Sequence, residues 1–135
     1  MPNPYAGRGL LARIGYFEGT DPVLLSKLAA EGVETIPVAN SWDGHGKMVN
    51  HLSKGEVNVV VGYLHKVVPA ETLRTSTLSI MVDDMLSACR VYEIPVLLIV
   101  PGSLREKAEK LLSDAETKIR IVAPEQVEAE VRKYL

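Results

Sequence analysis

The chain has 135 residues, 47% of them hydrophobic and 24% charged, with a formal net charge of −2. That length makes one domain able to bury a core without metal or disulfide support, and the missing basic surplus argues against nucleic acid or an anionic membrane surface as a partner. The single cysteine, Cys89, excludes an internal disulfide and falls in an apolar helical pattern, the setting of a small buried hydrophobe.

Residues 1–9 carry two prolines and two glycines and read as an irregular arm without a charged-then-apolar leader pattern. A single α/β domain is expected over residues 10–135. Residues 10–17 form its first strand. Glu18-Gly19-Thr20-Asp21-Pro22 is a helix start, with Thr20 or Asp21 as cap and Pro22 where its missing donor costs nothing. Val23, Leu24, Leu25 and Leu28 supply the buried stripe, and Gly32 lies where a carboxyl cap belongs. Residues 33–38 are a second strand. A loop over 39–46 follows, then a helix to Lys54 closed by Gly55.

Residues 57–61 are apolar on both faces, as in a parallel strand covered on each side by helices. A longer connection runs through Pro69. A helix over 78–92 turns Leu78, Val82, Met85, Leu86 and Cys89 inward and leaves Asp83 and Asp84 on a solvated face. Residues 94–100 form an apolar strand. Ser103-Leu104-Arg105-Glu106 resembles a capping box, opening a helix that buries Leu104, Ala108, Leu111 and Leu112. Residues 118–122 are the last strand, and Pro124 opens a final helix burying Val127, Val131 and Leu135.

Five strands alternating with five helices predict a three-layer α/β/α sandwich around a five-stranded parallel sheet, Rossmann-like in plan. The longest apolar runs are too short to cross a bilayer, so a cytoplasmic location without membrane contact is the simplest expectation.

In such sheets ligands gather beyond the carboxyl ends of the strands. The loops expected there span 17–21, 39–46, 62–66 and 101–103. Gly19 and Thr20 lead into a helix amino terminus, where exposed amides and the helix dipole favour a phosphate or carboxylate. The alternative is that Thr20 and Asp21 only cap the helix. Asp43-Gly44-His45-Gly46-Lys47 offers two glycines for close approach, a histidine able to exchange a proton near neutrality, and a positive charge. It reads equally as a polar connecting turn, with Trp42 beside it as a pocket wall or a cover for the core. Gly62 and His65 flank the far end of the valine-rich strand. The spacing of His45, His51 and His65 opposes a metal site, and no nucleotide-binding glycine motif is present, so no cofactor is implied.

Several segments together resemble the methylglyoxal synthase-like domain family, which includes the regulatory domain of the carbamoyl-phosphate synthase large subunit. Gly19-Thr20 matches the second half of the family's Thr-x-Gly-Thr phosphate loop. Asp43-Gly44-His45-Gly46-Lys47 resembles the regulatory domain's Glu-Gly-Arg-Pro-His. Residues 52–61 are similar to the family's helix-then-strand segment, and Ala88-Cys89-Arg90-Val91-Tyr92-Glu93-Ile94-Pro95-Val96 to its helix leading into an Ile-Pro-Val strand. The resemblance implies an anion or phosphorylated-metabolite pocket around Gly19, Thr20, Gly44 and Lys47. It does not carry the synthase reaction over, because His45 and His65 stand where the family has aspartates and Phe17 replaces the first threonine of its phosphate loop. The family also has a strand and helix before that loop, which residues 1–9 cannot supply. The first strand here is therefore expected to be central, as in flavodoxin-like sheets of order 2-1-3-4-5.

Three functions follow, in descending order. The first is a binding or regulatory domain for a small anionic metabolite, held by Gly19, Thr20, Asp43, Gly44, His45, Lys47, Gly62 and His65 around one electropositive hollow. The second is a lyase- or isomerase-type enzyme acting on a small phosphorylated or carbonyl substrate, with His45 or His65 as general base. The third is a non-catalytic assembly subunit, since Tyr5, Tyr63, Leu64, Val67 and Val68 are more apolar than an arm or loop requires. A homo-oligomer is compatible with all three.

Overall fold

A computed structural model describes residues 12–40, 46–68 and 77–135. Its centre is one all-parallel sheet built from β1 (Arg13–Tyr16), β2 (Glu34–Ala39), β3 (Lys47–Met48), β4 (Val59–Tyr63), β5 (Val96–Ile99) and β6 (Ile119–Val122), in the order β3-β2-β1-β4-β5-β6. Without the two-residue edge strand β3, this is the 2-1-3-4-5 order of flavodoxin-like sheets. β1 is central: Gly15 pairs with Ile36 on one side and Val60 on the other.

Alternation along the strands divides the core. Val60, Leu98 and Ile121 face one way, with α2 (Leu64–Val67), α3 (Leu78–Met85), α4 (Ser87–Val91) and α5 (Arg105–Leu111). Ile14, Val59, Val61, Leu97, Ile99 and Val122 face the other, against α1 (Pro22–Ala30) and α6 (Val127–Arg132). β4 is buried on both faces, as its run of valines requires. Among the described residues no helix is long and apolar enough to cross a membrane.

Several expected elements are redrawn. The sheet has six strands rather than five, because the helix expected up to Lys54 is replaced by β3 and one 3-10 turn, Val49–His51. Val49 and Leu52 are buried by that single turn, and the Asn50 side chain reaches across to the helical layer. There the Ala88 amide donates to Asn50 Oδ1 at 3.2 Å, at the junction where the helix expected over 78–92 divides into α3 and α4.

The capping box does not form. Residues 102–104 make a 3-10 turn, and Leu104 is 52% exposed rather than inward. Val23 and Leu135 are likewise exposed, since the buried stripe of α1 is Leu24 and Leu28 and that of α6 ends at Val131. Cys89 is buried, and desolvation pushes its thiol up to about 12, leaving no thiolate at neutral pH. Asp83 is not on a solvated face: it accepts hydrogen bonds from the Glu116 and Thr117 amides and the Thr117 hydroxyl.

Candidate functional site

The order of strands reverses beside β1. The chain steps from β1 to β2 on one side, then crosses back to place β4 on the other, so the carboxyl ends of β1 and β4 flank the switch point where open α/β sheets receive ligands. Gly19 follows β1 there with φ of 91°, a left-handed conformation that a side chain would disfavour. A Cβ on Gly19 would stand 3.7 Å from Lys66 Cε and 4.0 Å from Tyr63 Cδ2. The loop after β1 and the turn after β4 therefore touch.

Beneath this corner Phe17 is fully buried, its ring lying where a Cβ on Gly62 would come within 2.8 Å. Gly62 thus makes room for Phe17, a packing role. Lys66 reaches back over the corner to Glu18 at 3.1 Å, an exposed ion pair.

Asp21 caps α1, whereas Thr20 ties back to the strand end. The Asp21 carboxylate accepts from the Val23 amide at 2.9 Å, satisfying one orphan donor of α1, while the buried Thr20 hydroxyl donates to the Phe17 carbonyl at 2.8 Å. A ligand at this helix end would compete with the chain's own carboxylate.

A third segment joins the corner through Asn40, a residue that the sequence pattern did not mark. Asn40 is buried at the end of β2, and its amide donates to the carbonyl of Val67, the last residue of α2. The end of β2 is thereby tied to α2. The described chain resumes at Gly46, whose φ of 72° and approach to Pro37 exclude a side chain: a Cβ would lie 2.5 Å from the Pro37 carbonyl oxygen. Asp43, Gly44 and His45, together with Trp42, lie outside the described residues. Lys47 follows on β3 at the sheet edge, with its ammonium engaged by Glu56, which also accepts from the Ser53 amide. Lys47 and Ser53 hold the Glu56 carboxyl below its usual range. His65 is exposed on α2, its ring tilted against that of Tyr63 at 5.5 Å.

On the other side of Tyr63, a cavity of about 360 Å³ lies between α1 and α6, above the ends of β4 and β5. Tyr63, Ile99, Leu24 and Pro124 form its apolar part. Its charged lining is Asp21, Glu125 and Glu128 against Lys27, and Lys27 is bonded to Glu128 at 3.0 Å. This hollow is acidic, because both flanking helices bring carboxylates to it, and its described lining includes none of Gly19, Lys47 or His65. Lys66 is the cation that the described residues place at the switch-point corner. Among the described residues no three His, Cys, Asp or Glu side chains gather as a metal site.

The described residues thus bring Gly19, Thr20, Gly62 and His65 to one corner and leave Lys47 at the sheet edge, tied to another partner. Asn40, Tyr63 and Lys66 complete the corner. Only Tyr63 stood out in the sequence, as an apolar residue in a loop; a lone asparagine at a strand end and one lysine among fifteen cationic side chains carry no local signal. Comparison with known proteins adds no name to this arrangement: no protein-family model and no curated protein matches the chain.

Proposed function

We propose that the protein is a small-molecule binding or regulatory domain whose ligand, a phosphate- or carboxylate-bearing metabolite, sits over the carboxyl ends of β1 and β4. The position of Gly19 beside Tyr63 and Lys66 at the strand-order reversal carries this reading. Backbone there is open to close approach, and Lys66 supplies a cation whose ion pair among the described residues is with an exposed carboxylate. Asn40 supports the reading by tying the end of β2 to the last residue of α2, beside the same corner. The likeness to methylglyoxal synthase-like domains points the same way, toward an anion at Gly19 and Thr20. The synthase reaction is not part of the proposal, since His45 and His65 stand at the positions of its aspartates.

Trp42 is the only tryptophan and therefore a direct reporter. Its fluorescence should respond saturably to millimolar inorganic phosphate, nucleotides or sugar phosphates, and Lys66→Ala should weaken that response several-fold. A signal indifferent to all three classes of anion removes the proposal.

A further inference from the structure

A second cavity, of about 520 Å³, lies on the opposite face of the sheet, between α2 and α5 beyond the end of β5. Leu64, Leu78, Val100 and Ala108 form its buried wall, with Leu111 beside them, and Leu104 stands at its rim 52% exposed. Lys107 is the one charged side chain among its described lining. On the same helix the Glu109 carboxylate is taken by Arg105 at 3.6 Å, and none of the ion pairs among the described residues includes Lys107.

The volume falls in the range of sites for small organic molecules, roughly 300–1,000 Å³. An apolar lining disfavours sugars and bare phosphates, whose polar groups would lose water without gaining partners. A single unpaired ammonium at the edge of a hydrocarbon hollow matches a ligand with one anionic end and an apolar body. We propose that this cavity binds a medium-chain carboxylate, its hydrocarbon chain against Leu64, Leu78 and Val100 and its carboxylate on Lys107. The site is independent of the switch-point corner: Leu64 packs into the α2–α5 layer, whereas Lys66 reaches the loop after β1.

The test uses the full chain and anilinonaphthalene sulfonate, whose fluorescence rises in apolar surroundings, with hexanoate, octanoate and decanoate as competitors. Displacement should tighten about fourfold for each added methylene. Decanoate should outcompete decanol at least fivefold, and Lys107→Gln should erase that preference while leaving thermal unfolding unchanged. Leu104→Asp, at an exposed position, should weaken every competitor. The assignment is overturned if chain length has no effect, if alcohol and carboxylate compete equally, or if Lys107→Gln keeps the preference. It also falls if the probe does not bind while Leu104→Asp turns a sedimenting oligomer into a monomer, since a second copy would then cover the hollow.

Discussion

Asp83 and Lys66 are both charged side chains that join distant parts of the chain, and they do so in opposite ways. Asp83 on α3 receives the Glu116 amide at 2.8 Å, the Thr117 amide at 2.9 Å and the Thr117 hydroxyl at 2.6 Å, pinning the segment that feeds β6 to the helical layer. Its donors are spent within the chain, and Thr117 is only 4% exposed. Lys66 meets Glu18 across the switch point with both side chains more than a third exposed. A part-buried acceptor holding several donors is a permanent part of the fold; an exposed pair gains little from its own geometry and is free to exchange partners. The contrast separates a charge spent on folding from a charge left at the surface, where the proposed ligand would meet it.

The firmest way to break this contrast is to disturb what lies beneath the exposed pair. Gly62→Val places a side chain within 2.8 Å of the Phe17 ring and 2.9 Å of its Cβ, and Phe17 is fully buried with nowhere to retreat. Overpacking of this kind should cost about 3 kcal/mol in urea-induced unfolding. It should also abolish the Trp42 response to anions, because the loop after β1 would be displaced. A variant as stable as the parent would mean that the corner is loosely packed, and the rigid frame assumed for the ligand would go with it.

Asp83→Ala should come next, at about 2 kcal/mol, since it leaves the donors of residues 116 and 117 without their partner. Burial by itself would raise the Asp83 carboxyl, but hydrogen bonds from the Glu116 amide and from Thr117, with Arg90 nearby, outweigh it and hold the group below its ordinary value. A carboxyl depressed in the folded state stabilises the protein above its unfolded pKa of about 3.9, and that contribution is lost as pH falls through the lower folded value. The stability gap between parent and Asp83→Ala should therefore be constant above about pH 5 and narrow in acid. A gap independent of pH would show that the lost bonds do not depend on the charge.

Much of this framework was legible in the sequence. The alternation of apolar strands with helix starts, the two-faced valines of β4 and the Asp21-Pro22 cap each follow from local chemistry that the fold preserves. What escaped were features fixed by distant partners. No local rule says that Asn50 will meet the amide of Ala88 and mark a break between two helices, or that Asp83 will find residues 116 and 117. The window over 47–54 was long enough for a helix by composition, yet Gly46 folds against Pro37 and an edge strand forms instead. The site was half legible for the same reason. Gly19 and Thr20 carry a turn-and-cap signature, whereas Asn40 and Lys66 acquire meaning only when β2, β1 and β4 are placed side by side.

The smallest expected effect is also the one that sharpens the comparison most. Lys66→Ala and Glu18→Gln should couple in stability by no more than about 0.5 kcal/mol, because an exposed ion pair is screened and its side chains lose freedom in forming it. Their effects on anion binding should be opposite in sign. Removing the ammonium weakens the ligand, whereas removing the competing carboxylate releases Lys66 toward it and tightens binding. A double-mutant cycle on unfolding, run beside titration of Trp42 with inorganic phosphate, reads both quantities on the same variants. A coupling energy above about 2 kcal/mol would place the pair in the same class as the Asp83 knot, part of the fold's own support. Tightening by Glu18→Gln with little coupling would instead show that Glu18 occupies, in the free protein, the position that an incoming anion takes over.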